Sequence, residues 1–219
     1  MKNAIDRKAQ SERILQAKGI AVNTFLPTAP TSDAVQLKDF ETVCRRAVTA
    51  MLSTQIARCV LAHKPQDVGL FMNLYVRFDV NHDLNAKETA LAQNLKLDDT
   101  AGDIIWEYES FWALCWALGF IDDISDGTVS CDNVLAQKLV AGAGSLDGFM
   151  ARAKLRDIEE ILDMLDLYYR YHWAVVEQRI HNPALPVGGL RQFVVSERRR
   201  ALEWLISPET DWFEIPLHT

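Results

Sequence analysis

The stretch Phe111-Trp112-Ala113-Leu114-Cys115-Trp116-Ala117-Leu118 decides the fold. It is apolar on every side of a helical wheel and stops at Gly119, the pattern of a helix buried at the centre of a soluble protein. The run reaches only Ile121, roughly half of the ~20 residues a membrane span requires. Extended backwards, the same pattern predicts one helix over Gly102–Leu118.

Working outward from this centre, the chain reads as further helices. Asp39 caps a helix to about Ala62, with Val43, Ala47, Ala50, Met51, Thr54 and Arg58 at helical spacing. Pro65 starts another through about Phe78, and the polar stretch Asp79–Asp103 holds one short helix around Ala86–Leu95. Near the N-terminus, Ile5–Gly19 forms a short amphipathic helix. Ala21–Leu37 contains Pro27 and Pro30 and reads as an irregular arm or a small hairpin. Downstream, Asp132 caps a helix to Val140, and Ala141-Gly142-Ala143-Gly144-Ser145 breaks it. Asp157 and Glu160 make a capping-box start for the longest helix, to about His181, and Val194–Ile206 is the last. No stretch alternates long enough for a substantial sheet. The prediction is all-α: a single-domain helical bundle over residues 1–219, with an irregular or hairpin arm at about 21–38.

Of the 219 residues, 49% are apolar and 24% charged, which suits a folded domain that needs no disulfide or metal to stabilise it. A net charge of −7 argues against a nucleic-acid backbone as partner, and no membrane is expected. No apolar segment follows the charges of Met1–Lys8, so no secretory signal is expected. Cys44, Cys59, Cys115 and Cys131 form no Cys-x-x-Cys pair, and a reduced, cytoplasmic protein is the reading that follows.

Known catalytic and metal motifs do not fit. No His-Glu-x-x-His occurs. Asp79-Val80-Asn81-His82-Asp83 begins like a calcium loop, but Leu84 replaces the turn glycine and Ala90 the bidentate acid. The acidic loop Asp122, Asp123, Asp126 has Ile124 at its second ligand position. Gly142, Gly144 and Gly148 miss the dinucleotide spacing by one residue and follow a helix. No Gly-x-Ser-x-Gly elbow is present, and no cofactor is implied.

What remains is a constellation. On the wheel, the long helix buries Ile158, Ile161, Leu162, Leu165, Tyr169, Trp173 and Val176, with His172 inside that arc and Tyr171 facing away. Glu109 lies one turn from Ile105, Trp112 and Ala113 and is expected to be enclosed, so it needs a partner or a proton. Arg198 is the best-placed cation and Arg199 the next. The expectation is a core Glu109–Arg198 ion pair with His172 and Tyr169 nearby, fixing helix register. The alternative is a small polar pocket walled by Trp112, Trp116, Tyr169 and Trp173. On the first view the protein is a non-catalytic intracellular binding or accessory protein acting on a protein or small ligand. On the second it is an enzyme whose acid, base and anion holder are Glu109, His172, Tyr169 and an arginine.

Four segments carry a family likeness: ILQAKGIAVNTFLP (Ile14–Pro27), ESFWALCWALGFIDD (Glu109–Asp123), LRDIEEILDMLDLYYRYHW (Leu155–Trp173) and VSERRRALEWLI (Val195–Ile206). Together they resemble the bacterial family of the domain of unknown function 4272. The extreme C-terminus departs from the family's acidic pattern, since Phe213 follows Trp212 and Leu217-His218 precede Thr219. The resemblance implies a largely helical intracellular protein and carries no activity with it.

Overall fold

A computed structural model describes residues 3–219; Met1 and Lys2, which open the stretch read above for a leader, lie outside it. The described chain is all-α, as the sequence predicts. In order, the helices are α1 (Ala4–Ala17), α2 (Phe40–Leu61), α3 (Val68–Arg77), α4 (Ala86–Gln93), α5 (Asp98–Ile104), α6 (Glu107–Ala117), α7 (Asn133–Ala141), α8 (Leu146–Met150), α9 (Ile158–Ile180) and α10 (Gln192–Ile206).

Capping chemistry sets several of these starts. Asp39 accepts from Thr42 N–H, and Asp132 from the amides of Val134 and Leu135. Asp157 and Glu160 satisfy each other's backbone amides at the start of α9, as do Asn85 and Glu88 at the start of α4. Two boundaries differ from the sequence reading. The helix expected over Gly102–Leu118 is two helices, because a turn at Ile105–Trp106 separates α5 from α6 and lets both pack on α2. The glycine-rich break after α7 is followed by the short α8, started by the Ser145 hydroxyl on Gly148 N–H.

The helices group into two compact units, each assembled from separate stretches of chain. The first contains the residues up to Lys38, Asp122–Ser130 and Arg156–Thr219; the second contains Asp39–Ile121 and Cys131–Leu155.

In the first unit, α9 packs against both α1 and α10. A helix with two neighbours must bury two faces, and this changes the expected arc. Ile161, Leu165, Tyr168, Tyr171, His172 and Val175 are buried, and so are Asp166, Leu167, Arg170 and Ala174. Ile158, Tyr169, Trp173 and Val176 are only half-buried, and Tyr171 points inward rather than away. The hydroxyls of Tyr168 and Tyr171 explain why those rings turn in: they donate to the carbonyls of Ile124 (2.5 Å) and Ser125 (3.2 Å). The N-terminal arm is irregular, and among the described residues it forms no hairpin ladder. Pro27 and Pro30 cannot donate to one. Side chains hold it instead: Lys8 donates to the carbonyls of Thr24 and Leu26, Arg170 to that of Pro27 and Arg7 to that of Pro30.

In the second unit, α2 packs on α3, α5 and α6. Small side chains (Ala47, Ala50, Ser53 and Ala57) occupy its buried surface, and every residue of α6 is buried. Gly119 closes α6 in the left-handed region at φ 75°, with Phe120 N–H returning to Cys115 O at 2.9 Å. A Cβ at Gly119 would lie 3.1 Å from Lys154 O, and that backbone is itself fixed by Lys154 N–H on Leu118 O. Gly119→Ala therefore combines left-handed strain with a contact that cannot relax. It is expected to lower the unfolding free energy by ~1–3 kcal/mol in urea titration; an unchanged midpoint would show that this turn is not a constraint.

Candidate functional site

Neighbouring residues on an α-helix point about 100° apart, so Arg198 and Arg199 on α10 serve different surroundings. Arg198 is 2% exposed. Its guanidinium donates to the carbonyls of Ile124, Asp126 (2.9 Å) and Val129 (2.9 Å) and to the Tyr168 hydroxyl (3.0 Å). It thereby gathers the irregular segment 124–129 onto α9 and α10. Arg199, also buried, meets Nδ1 of His172 at 2.6 Å and lies over the Tyr169 ring at 4.8 Å. It donates as well to Glu203 and to the His218 carbonyl. Of the candidate residues, His172 and Tyr169 are thus brought together by Arg199.

His172 is 6% exposed and cannot accept from Arg199 while protonated at Nδ1. Burial first, and then the charges of Arg199, Arg200 and Arg179, push its pKa down to about 4. The ring is a neutral acceptor that orients a guanidinium.

Glu109 lies in the second unit, on α6, 2% exposed. One carboxylate oxygen accepts from Cys131 N–H at 2.8 Å, holding the chain where it enters α7. The pair suggested by the sequence, Glu109 with Arg198, has one member in each unit: the Cys131 amide that Glu109 holds belongs to the second, and the carbonyls that Arg198 gathers belong to the first. The aromatic wall divides likewise: Trp112 and Trp116 are buried on α6, whereas Tyr169 and Trp173 are half-buried on α9.

The sequence reading missed a second buried polar cluster, in the second unit. Arg46 forms a bidentate pair with Glu88 and donates to the Asp83 carbonyl, and the buried Glu107 is 3.9 Å away. Ser53 donates to Glu88 at 2.6 Å and shares a 2.7 Å hydrogen bond with the Tyr75 hydroxyl. Burial alone would raise Glu88, but Arg46, Ser53 and the Asn85 amide outweigh it and hold the carboxylate below its ordinary range. Arg45 takes up Asp79 and Asp83, the acids that resemble a broken calcium loop in the sequence.

Open features among the described residues include two that lie elsewhere. A cavity of about 320 Å³ lies beside α1 and α9, where Arg7 is already bonded to Glu159 and Asp163. A groove of about 550 Å³ lies between the C-terminal end of α2 and α3, lined by Arg58, Cys59, Lys64, Leu70 and Phe71 among others. The α3 sequence carried a signal for the second: Leu70, Phe71, Met72 and Val76 are too widely spread around the wheel for one buried face.

The described chain is all-α, and several of its buried charges, Glu109 and Arg198 among them, are bonded to backbone groups. Residues 7–215 match the domain of unknown function DUF4272, and the chain belongs to that family. No curated protein and no solved structure matches it.

The unfolded chain titrates His172 near its ordinary value of about 6.5. Between that pH and about 4, the unfolded state binds a proton that the folded state does not. The contribution is therefore complete above pH 6.5 and is lost as pH falls toward 4, a change of roughly 3 kcal/mol. Urea unfolding from pH 4 to 7 should show this slope in the wild type and a flatter one in His172→Gln. Identical slopes would remove His172 as its source.

Proposed function

We propose that the protein is a non-catalytic binding or accessory protein of a reducing, cytoplasmic compartment, acting on a partner protein or small ligand. One observation carries the reading. Three of the polar groups that an acid–base site would use are buried and engaged in holding the chain together: Glu109 on the Cys131 amide, His172 on Arg199, and Arg198 on three carbonyls and a hydroxyl, while the half-buried Tyr169 lies under the Arg199 guanidinium. A general base must reach a substrate proton within hydrogen-bond distance, and these groups point at protein.

The thiols support the same view. Burial, aided by Glu41, pushes Cys44 up to about 12, and burial, aided by Cys131 and Cys44, raises Cys115 well above its ordinary value. Thiols of this kind are poor nucleophiles. No described helix is long and apolar enough to cross a membrane.

Histidine accessibility tests the reading. His63, His82, His181 and His218 are exposed, whereas His172 is buried. Diethylpyrocarbonate with peptide mass mapping should modify the first four and spare His172 until the protein is unfolded. Modification of His172 at the rate of the others would reveal an open site and overturn the non-catalytic assignment.

A further inference from the structure

The guanidiniums of Arg7, Arg45, Arg46, Arg156, Arg170, Arg199 and Arg200 all have carboxylate partners. Arg58 and Lys64 are among the exposed cations that do not, as are Lys96, Lys138 and Arg179, and they are the two that border a groove with an exposed leucine. Both are exposed, and neither has an ion pair or side-chain hydrogen bond among the described residues, although the chain carries 30 acids against 23 basic residues. They flank the groove between α2 and α3, where the one acid is Asp67.

Between these cations the groove is lined by Leu70, 62% exposed on α3, with Phe71, Cys59 and Ala62 beside it and Gln55 and Gln66 as its neutral polar residues. α3 itself buries only Val68 and Tyr75. A lone anion would satisfy Arg58 and Lys64 but leave Leu70 and Phe71 in water. An apolar ligand would do the reverse. A helix with one apolar face and acidic flanks satisfies both, by the mode in which anchor side chains enter a hydrophobic groove.

We infer that this groove docks an acidic amphipathic helix of a partner protein, with Leu70 and Phe71 receiving its apolar side chains and Arg58 and Lys64 pairing with its carboxylates. This rests on the binding reading above and names the partner's chemistry. Because the chain as a whole is at −7, an acidic partner is repelled by net charge, so its recognition depends on the local cations and the apolar floor.

The experiment is fluorescence anisotropy on the full chain with three labelled synthetic peptides: an amphipathic Leu/Glu helix, the same residues scrambled to abolish amphipathicity, and an amphipathic Leu/Lys helix. Saturable binding of the first alone is expected. It should weaken at least tenfold in Arg58→Glu/Lys64→Glu and in Leu70→Glu, all at exposed positions, while Arg179→Glu on α9 leaves it unchanged. No binding of the Leu/Glu helix, equal binding of all three peptides, or indifference to the groove variants would overturn the proposal. So would displacement by inorganic phosphate, which would make the site one for small anions. Self-association of the wild type that Leu70→Glu abolishes would assign the groove to a second copy and overturn it too. A negative result with His172 still protected from diethylpyrocarbonate removes this partner and leaves the binding reading standing; a reactive His172 removes the reading itself.

Discussion

Buried guanidinium groups bonded to backbone carbonyls are the constraint on which this structure depends. Among the described residues, Arg7, Arg46, Arg170, Arg198 and Arg199 are all buried. A cation taken out of water costs several kcal/mol unless its donors are matched. Each of the five meets that need in part with a carbonyl from a non-helical segment: Pro30, Asp83, Pro27, the 124–129 segment and His218, respectively. Irregular backbone has carbonyls that no ladder satisfies, and a planar fork with five N–H donors can take several at once. The two deficits cancel. The arm, the 124–129 segment and the C-terminal tail of the first unit are therefore fixed without strands.

The same pairing bears on function. An arginine or carboxylate bonded to backbone is poorly placed for a substrate, and moving it would leave several buried groups unsatisfied at once. On the proposed reading, the interior polarity of each unit is architectural. The α2–α3 groove is where two cations without ion pairs among the described residues border the exposed Leu70.

Much of the fold is legible in the sequence because its signals are local. Asp39, Asp132 and Asp157 each cap the helix that the pattern places after them, and the α6 stretch is buried throughout, as its uniform apolarity requires. Non-local packing is not legible. A wheel shows which residues share a face and not how many neighbours a helix has, so the pattern assigns α9 one buried arc where α1 and α10 demand two. Tyr171 and Arg170 escape the wheel for that reason. The break at Ile105–Trp106 escapes it because neither residue is a helix breaker. Of the candidate residues, the burial of Glu109, His172 and Arg198 follows from their apolar neighbours at helical spacing. The Cys131 amide, the 124–129 carbonyls and the His218 carbonyl do not, since backbone acceptors in loops leave no mark in sequence.

Hydrogen exchange over residues 122–130 tests the central claim most directly. Ser125 and Thr128 amides are held there by Asp123 and Asp126, in a segment that Arg198 gathers by its carbonyls. In Arg198→Met, and more mildly in Arg198→Lys, which keeps the charge but loses the fork, these amides should exchange faster while those within α9 stay protected. Wild-type protection of this segment in both variants would contradict the account, because its order would then owe nothing to the buried guanidinium.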